Sequence, residues 1–386
     1  MQTRIQSFSN QPNDRKWLKR FIDFHWGHYR QDPQYVPLLD FEYLGNKLIG
    51  MTGFFEPQNL FFKHADMRFF LALQGDQVVG RCNAFVNHNH NRHWNDRVGF
   101  FGQFECIDDK QVARLLLDAA AAWLHEQGMD AMRGPQNLPV NEATPGLMTM
   151  GFDTVPVVYY HYNKPYYEAL LRENGFVPVK QVKSWWVTTR EPMVEKLERV
   201  SQKVIQRYGV TFETWNERPF AERRREMFEV YNDAWNDNWG FVPFTEEEFF
   251  ATVKDMMLVM NKKLFLFVYV KGELAGFFGG VPNIFERMHL TRFCRRCELL
   301  RAARMLIGKG RIKSYRLGYM GVKRKFHNLG IDSVMLWKQK IYSLHSQYDH
   351  ADLGWVLEDN VLVNRVAEWM NAKVSKIYTI FQKPID

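Results

Sequence analysis

Apolar residues recur along the chain with two periods, and the two periods predict different elements. Alternation of apolar and polar residues predicts strands, and recurrence at about 3.6 residues predicts amphipathic helices. The strands predicted in the first half are Met67–Leu73, Gln77–Val86, Arg97–Cys106, Ala131–Arg133, Val155–Tyr160 and Val182–Val187. Its predicted helices are Lys16–Tyr29, Pro165–Glu173 and a helix that Asp108 or Asp109 caps, with a buried stripe at Val112, Leu115, Ala119 and Trp123.

The second half repeats this order of elements. Helices are predicted over Arg218–Trp235, after the capping box Thr245-Glu246-Glu247-Glu248 and over Val361–Met370. The predicted strands are Leu264–Val270, Glu273–Val281, Ala351–Trp355 and Lys373–Gln382. Two copies of one plan, each about 190 residues long, indicate a tandem duplication. We therefore predict two domains, 1–190 and 191–386, joined near Thr188–Pro192.

One segment, Tyr315–Trp337, combines an apolar strand, a basic loop that contains glycine and an amphipathic helix. Apolar residues at Val334, Trp337, Ile341 and Leu344 follow at helical spacing. A loop that presents backbone N–H groups at a helix N-terminus, with cations around it, is suited to binding an anion. The segment therefore predicts an anion site.

Composition and charge limit the kinds of partner that the protein is expected to bind. The chain has 386 residues, 46% hydrophobic and 24% charged, which is typical of a globular protein. Its net charge of +8 favours an anionic partner, such as a nucleotide-bearing cofactor, an acidic carrier protein or an anionic membrane surface. No run of five cations occurs, so an arm that binds nucleic acid is not expected.

The number of cysteines and the length of the apolar runs indicate the cellular compartment in which the protein is expected. Four cysteines in so long a chain indicate a reducing compartment. The chain has no stretch with the features of a signal peptide at its start, and its apolar runs, such as Leu264–Val270, are too short to span a bilayer. We expect a cytoplasmic protein, with a peripheral place at the inner membrane as an alternative.

Five short motifs form a recognisable set: Gly99–Glu105, Arg133-Gly134-Pro135, Tyr162–Tyr167, Asn238–Pro243 and Leu357–Asn360. Together they resemble those of the GNAT superfamily, the CoA-dependent N-acetyltransferases, and in particular of bacterial proteins with two such domains in tandem. The resemblance covers nearly the whole chain. It implies an α/β (α+β) fold of two tandem GNAT-like domains, each a mixed, mostly antiparallel twisted sheet flanked by helices.

The resemblance places the pyrophosphate-binding loop of the superfamily at His327–Asp332. Gly330 matches the pattern, whereas His327 and Asp332 depart from it. The backbone of Lys325–Gly330 would hold the phosphates of acetyl-CoA or acyl-CoA, with Lys323, Arg324 and Lys325 outweighing the charge of Asp332. The candidate cofactor-binding residues are Met320, Val322, Lys323, Lys325, His327, Asn328, Gly330, Asp332 and Asn360.

The corresponding segment of the first half, Ile107–Gln111, has no glycine and two carboxylates. A pyrophosphate would meet negative charge there. The first half is therefore expected to bind no CoA and to serve as a scaffold and a wall for the acceptor.

Acyl transfer needs a neutral amine and a protonated leaving thiol. Glu358 and Asp359 are the candidate bases, and Glu358 is preferred. The alternatives are a solvated acidic pair at the end of a strand, or Asp359 or Asn360 capping the next helix. The tyrosine that usually serves as acid in the superfamily is missing, because Ala367 stands at its position. Tyr378 is the candidate substitute, with a half-buried strand aromatic or protonation through water as alternatives.

Candidate residues for the acceptor lie in the first half. Glu105 could reach a cleft between the domains, or it could be a salt-bridged strand carboxylate. Asn141 and Glu142 could bind the amine or hydroxyls of the acceptor, or lie in a polar loop with no ligand.

Two patterns suggest metal or redox chemistry, and neither is favoured. His88, His90 and His93 are expected in a solvated hairpin loop and not in a metal site. Cys294 and Cys297 have redox spacing but no second pair or thioredoxin-like context. No metal site is predicted.

The segment Phe293–Ile307 is basic and amphipathic, and it falls in a long insertion from Asn283 to Gly310. Leu299, Ala303 and Leu306 share one face, and Arg301 and Arg304 lie opposite. It could lie on an anionic membrane, bind an acidic carrier, or cover a lipid substrate as a lid. The alternative is an ordinary packed helix with a solvated basic face.

These observations, with the resemblance, predict an acyl-CoA-dependent N-acyltransferase that acts by direct attack in a ternary complex. The acceptor is expected to be a primary amine, and a lipid or sphingoid-type amine is one hypothesis, since bacterial ceramide-forming acyltransferases are similar in this superfamily. One rival is a transferase of the same fold that uses aminoacyl-tRNA. The other is a non-catalytic protein that binds CoA or a partner.

Overall fold

A computed structural model describes residues 2–141, 143–192, 194–291 and 298–385 of the chain. Its strands are β1 (Thr3–Phe8), β2 (Ala65–Gln74), β3 (Gln77–Asn87), β4 (Val98–Cys106), β5 (Ala131–Gly134), β6 (Leu147–Met150), β7 (Val177–Thr188), β8 (Val210–Thr214), β9 (Phe265–Val270), β10 (Glu273–Pro282), β11 (Ser314–Val322), β12 (His350–Leu357) and β13 (Lys373–Pro384). Its α-helices are α1 (Arg15–His28), α2 (Asp40–Leu44), α3 (His88–Trp94), α4 (Lys110–Glu126), α5 (Tyr167–Glu173), α6 (Glu195–Tyr208), α7 (Phe220–Ala234), α8 (Glu246–Met256), α9 (Phe285–His289), α10 (Glu298–Ile307), α11 (Ile331–Leu344) and α12 (Val361–Trp369).

The chain forms two compact units that are discontinuous in sequence. The first unit contains Met1–Lys183, Met288–Arg304 and Lys376–Asp386, and the second contains Ser184–Arg287 and Met305–Ser375. The predicted joint near residues 188–192 falls between the end of β7 and the start of α6. The assignment of domains to 1–190 and 191–386 stays a prediction.

In the first unit the strand order is β1-β2-β3-β4-β5-β13, and only β4 and β5 of these pair in parallel. Helix α4 packs on this sheet because one of its faces is wholly apolar. Leu116, Leu117, Ala120 and Leu124 are completely buried there with strand residues such as Cys82 and Phe101. Burial of such side chains contributes roughly 1.5–3 kcal/mol each for the larger ones.

In the second unit the order is β12-β11-β10-β9-β8, again antiparallel except for the parallel pair β11–β12. Helix α11 connects that pair and buries Val334 and Met335 completely. Both units therefore carry a parallel strand–helix–strand connection in a mostly antiparallel sheet. The predicted α/β (α+β) fold class is confirmed.

Most predicted elements are present, and Asp109 caps α4, with its side chain accepting N–H bonds from Gln111 and Val112 at 2.8 and 3.1 Å. Two predictions were wrong. Val155–Tyr160 forms no strand, and β6 precedes it instead. The segment predicted as a solvated histidine loop is the helix α3, because Asn87 caps it and His90 is buried at 2% exposure.

Candidate active site

The parallel strands β11 and β12 pair only along part of their length. The ladder runs from Ser314–His350 to Leu317–Leu353, whereas β11 continues to Val322 and β12 to Leu357. A register shift between β10 and β11 lies at the same level, between Gly279 and Val281. The candidate residues Met320 and Val322 therefore lie beyond the segment of β11 that pairs with β12, where β11 still pairs with β10 on its other edge.

The loop after β11 presents main-chain donors. Asn328 and Gly330 have positive φ of 63° and 80°, and α11 begins directly after Gly330. Within the described ranges, the N–H groups of residues 328–333 have no protein acceptor. Unpaired N–H groups at a helix N-terminus, together with its positive dipole end, form an anion-binding arrangement. The loop fits a phosphate ligand.

The cations at the start of this loop are already paired. Lys323 contacts Glu229, and Lys325 contacts Glu273. The carboxylate of Asp233 accepts the N–H of Arg324 at 2.6 Å. These carboxylates offset the positive charge that the sequence places against Asp332, which lies exposed in the first turn of α11. Main-chain N–H groups are consequently the principal donors for an anion at this loop.

His327 has a structural contact in the loop. Its Nε2 lies 2.9 Å from the carbonyl oxygen of Val322, so a protonated Nε2 donates to the end of β11. The side chain itself is exposed. This bond closes the loop from Val322 to His327 and fixes the turn that precedes Asn328.

The candidate base Glu358 follows the last residue of β12 and is exposed, as is Asp359. Asn360 caps α12, with its Oδ1 accepting the N–H of Val363 at 3.2 Å. The buried Asn364 donates to the carbonyls of Leu357 and Glu358 at 2.9 and 3.2 Å. Asn364 was not among the predicted site residues, although an asparagine inside the apolar run of α12 is a signal for it. Asn364 fixes the backbone that carries Glu358.

Tyr378 belongs to the first unit and is completely buried. Its hydroxyl donates to the carbonyl oxygen of His161 at 2.9 Å. The alternative described Tyr378 as a half-buried aromatic residue of a strand. Tyr378 does lie in a strand, but it is completely buried. A role as acid would require this hydrogen bond to break, and the role stays a prediction.

The candidate acceptor residues also lie in the first unit. Glu105 is 8% exposed and accepts from Nε of the buried Arg81 at 2.8 Å, which matches the salt-bridged alternative. Asn141 lies in the partly exposed loop before β6. Glu142 lies outside the described residues. Acceptor binding by these three residues stays a prediction.

In the first unit, the place that corresponds to the β12-facing edge of β11 beyond its ladder is filled. Beyond the β4–β5 ladder, the carbonyl of Phe101 accepts the N–H of Gln136 at 2.7 Å, and Oδ1 of Asn137 accepts the N–H of Gln103 at 2.7 Å. The N-terminus of α4 is satisfied by Asp109. Main-chain donors equivalent to those at residues 328–333 are therefore already used here.

Two buried charged residues near the end of the β11–β12 ladder were also missed. Arg316 and Asp352 are register partners and are 6% and 0% exposed. Nε of Arg316 donates to the carbonyl of Gly354 at 2.8 Å, just past the last paired residues, and Ser184 donates to Asp352. A single charged residue within each apolar strand is the sequence signal. These groups give the second unit a buried polar cluster where its strands separate.

The remaining candidates are the histidines of α3 and the two cysteines with redox spacing. His88 contacts Asp66 at 2.8 Å, and His90 lies 3.5 Å from Asp96. Burial lowers the pKa of His90 to about 4. No group of three or more His, Cys, Asp or Glu among the described residues could hold a metal ion. Cys294 and Cys297 lie outside the described residues.

Comparison with known proteins identifies relatives over the whole chain, although no family model matches it. The chain is 30% identical over 397 residues to protein YghO of Escherichia coli (strain K12), across 99% of this chain and 95% of that protein. It is 29% identical over 382 residues to a bacterial ceramide synthase of Caulobacter vibrioides, across 95% of each. A solved tandem GNAT protein from the clavulanic acid biosynthesis pathway matches with a TM-score of 0.56 at 11% identity, across 100% of this chain and 99% of that one. The chain therefore belongs to the family of protein YghO and has the tandem-domain fold of the GNAT superfamily.

Proposed function

We propose that this protein is an acyl-CoA-dependent N-acyltransferase that joins a long acyl group to the primary amine of a lipid, such as a sphingoid-type amine. The observation that carries the proposal is the set of unpaired N–H groups at residues 328–333, directly beyond the point where β11 and β12 separate. This arrangement suits a ligand with a diphosphate at one end and an extended arm that can lie along the edge of β11 that no longer pairs with β12.

An apolar ligand is supported by the partly exposed indole of Trp235, which packs on β11 beyond its ladder with β12. A Cβ atom on Gly321 would lie 2.5 Å from the ring of Trp235, so the indole packs directly on the backbone of this strand. Trp235 is partly exposed, and the buried Tyr231 packs behind it, with its ring centroid 4.8 Å from that of Trp235 and 5.5 Å from that of Phe241. Aromatic side chains offer large apolar contact areas to a chain-like ligand.

The acceptor class is supported by the relative from Caulobacter vibrioides, whose name is bacterial ceramide synthase. A ceramide is an amide of a fatty acid and a sphingoid amine. Identity of 29% over 95% of both chains makes the same class of acceptor the first to test. An exposed carboxylate at the end of β12 suits an amine that arrives from solvent or from a membrane.

In this proposal Glu358 accepts the proton that the amine must lose as its nitrogen attacks the thioester carbonyl carbon. The C–S bond breaks, and the departing thiolate takes a proton from solvent or from a residue not yet assigned. The backbone of residues 328–333 holds the donor, and Asn364 positions Glu358 through its carbonyl. Bound acyl-CoA supplies the activated acyl group.

The proposal is tested by thiol release from acyl-CoA of increasing chain length, with the amide product detected by mass spectrometry. We expect turnover with a sphingoid amine and a long-chain acyl-CoA. Glu358→Gln should lower kcat by about 10²–10⁴-fold, because general base catalysis typically contributes that factor. The neighbouring Asp359→Asn is the matched control and should retain most activity.

Three results would contradict the proposal or the role that it gives to Glu358. CoA binding without thiol release from any acyl-CoA and amine pair would indicate a non-catalytic protein. Turnover of aminoacyl-tRNA, with a steep dependence on salt, would indicate the rival transferase. Equal losses in Glu358→Gln and Asp359→Asn would remove Glu358 from its assigned role.

A further inference from the structure

Helix α10 presents its apolar side chains to solvent and buries an arginine. Leu299, Leu300, Leu306 and Ile307 are 78%, 56%, 46% and 86% exposed, whereas Arg301 is 1% exposed. The sequence alternative of a packed helix with a solvated basic face is therefore wrong. At 3.6 residues per turn, the four exposed side chains lie on one side of the helix, with Arg304 exposed at the edge of that side.

Specific contacts fix the orientation of α10. Arg301 donates to the carbonyls of Pro37 and Leu38, and its guanidinium lies 5.1 Å from the ring centroid of Trp26. Oε1 of Glu298 accepts the N–H of Phe41 at 3.2 Å. Turning the helix over would break these charged hydrogen bonds, leaving the carbonyls of Pro37 and Leu38 without a donor and the N–H of Phe41 without an acceptor. The contacts of Arg301 and Glu298 within the first unit therefore fix which side of α10 is exposed.

The charge around α10 indicates what covers it. Residues 298–313 contain five cations and one carboxylate, and that carboxylate, Glu298, already accepts the N–H of Phe41. Arg304 and Arg311 are exposed. A second copy of the chain placed symmetrically on this side would bring like charges together. An anionic lipid bilayer offers both an apolar layer for the leucines and phosphates for the cations.

We propose that α10 is a membrane-docking helix that lies in the interface of an anionic bilayer. Leu299, Leu300, Leu306 and Ile307 enter the acyl-chain boundary, and Arg304 and Arg311 contact lipid phosphates. No described helix is long and apolar enough to cross a membrane, and this surface needs none. The inference goes beyond the proposed acyl transfer, because it rests on exposure and charge and not on the loop at residues 328–333.

Vesicle flotation of the full chain tests the proposal. We expect the protein to float with vesicles of phosphatidylcholine and phosphatidylglycerol, and to float less with phosphatidylcholine alone or at high salt. The triple variant Leu299→Ser, Leu306→Ser, Ile307→Ser should lose about tenfold or more in vesicle affinity, because interfacial binding scales with buried apolar area. A variant with Leu48→Ser and Val177→Ser, which removes exposed apolar residues elsewhere, should float like the wild type.

Circular dichroism and thermal melts establish that both variants are folded. Acyl transfer to a water-soluble amine should be equal in the wild type and the triple variant, which separates this inference from the proposed function. Flotation of the triple variant at the wild-type level would overturn the proposal. A wild type that binds neither kind of vesicle would also overturn the proposal. This holds if the wild type is a monomer, and equally if it forms a dimer that the triple variant dissociates.

Discussion

Arg223 in the second unit is fully buried, so its guanidinium must be paired within the protein. It contacts Glu226 at 2.6 Å and Glu213 at 2.9 Å, and it donates to the carbonyl of Thr214 at 2.7 Å. Glu213 also accepts from Arg218 at 2.6 Å. A buried charge that loses a partner is costly, because the remaining charge cannot be solvated. Glu213 is therefore a residue on which the packing of α7 against the sheet depends.

We expect Glu213→Gln to lower the free energy of unfolding by about 1.5–3 kcal/mol at neutral pH, the usual range for a hydrogen bond to a charged group. Hydrogen bonds from Arg218 and then Arg223 lower the pKa of Glu213 to about 2, against 4.5 in the unfolded chain. The stability it confers is present above pH 4.5 and is lost as the pH falls toward 2. Urea unfolding across that range measures the effect.

The control for this substitution is Glu222→Gln. Glu222 lies 3.9 Å from Arg218, but its side chain is 56% exposed. Exposed ion pairs contribute about 0–1 kcal/mol, so this variant should unfold almost like the wild type. If the two variants lose the same stability and share the same pH profile, the buried pairing of Glu213 does not have the assigned role.

At the scale of elements, the loop between β11 and α11 depends on backbone that only glycine adopts readily. Gly330 has φ of 80°, and a Cβ there would lie 3.1 Å from Cγ2 of Val204 in α6. Gly330→Ala should weaken CoA binding by roughly tenfold, because left-handed backbone costs a residue with a Cβ about 1–2 kcal/mol and the loop would shift. Isothermal titration with CoA measures the change.

Gly128→Ala provides a matched control for Gly330→Ala. Gly128 has nearly the same φ of 79°, follows α4 and has no atom within 4 Å of an added Cβ. It should cost similar stability but leave CoA affinity unchanged. Equal affinity in both variants would indicate that the loop at residues 328–333 does not bind the donor.

At the scale of the whole molecule, the two units differ at the junction between a strand and the helix that follows it, β4 and α4 in the first unit and β11 and α11 in the second. In the described part of the chain, the main-chain N–H groups of residues 328–333 are unpaired at this junction in the second unit, whereas those of the first unit are not. The main-chain groups at the junction of the first unit are already hydrogen-bonded to Asp109, Gln136 and Asn137. We therefore expect CoA to bind with a stoichiometry of one per chain. Isothermal titration of the wild type measures this number, and Asn137→Ala should leave it unchanged. A stoichiometry of two would contradict the assignment of the donor to the second unit.

Local patterns in the sequence were sufficient to predict most elements and the position of the candidate donor loop. These features depend on residues that are close in sequence, so the local sequence is enough to predict them. Examples are the alternation of the strands, the cap at Asp109 and the glycine at position 330. The buried stripe predicted for α4 shows how far such local patterns can be relied on for single residues. Val112 of the predicted stripe is fully buried, whereas Leu115 is only partly buried and the adjacent Leu116 is fully buried.

Other features depended on contacts between residues far apart in the sequence. The pairing of Arg316 with the Gly354 carbonyl, the burial of Tyr378 and the use of Asn137 beside β4 each join segments more than thirty residues apart. The orientation of α10 is the clearest case. Its amphipathic pattern is visible in the sequence, but the side that faces solvent was decided by carbonyls at Pro37 and Leu38 and by the ring of Trp26. An amphipathic pattern defines two faces of a helix, and only tertiary contacts determine which face is covered.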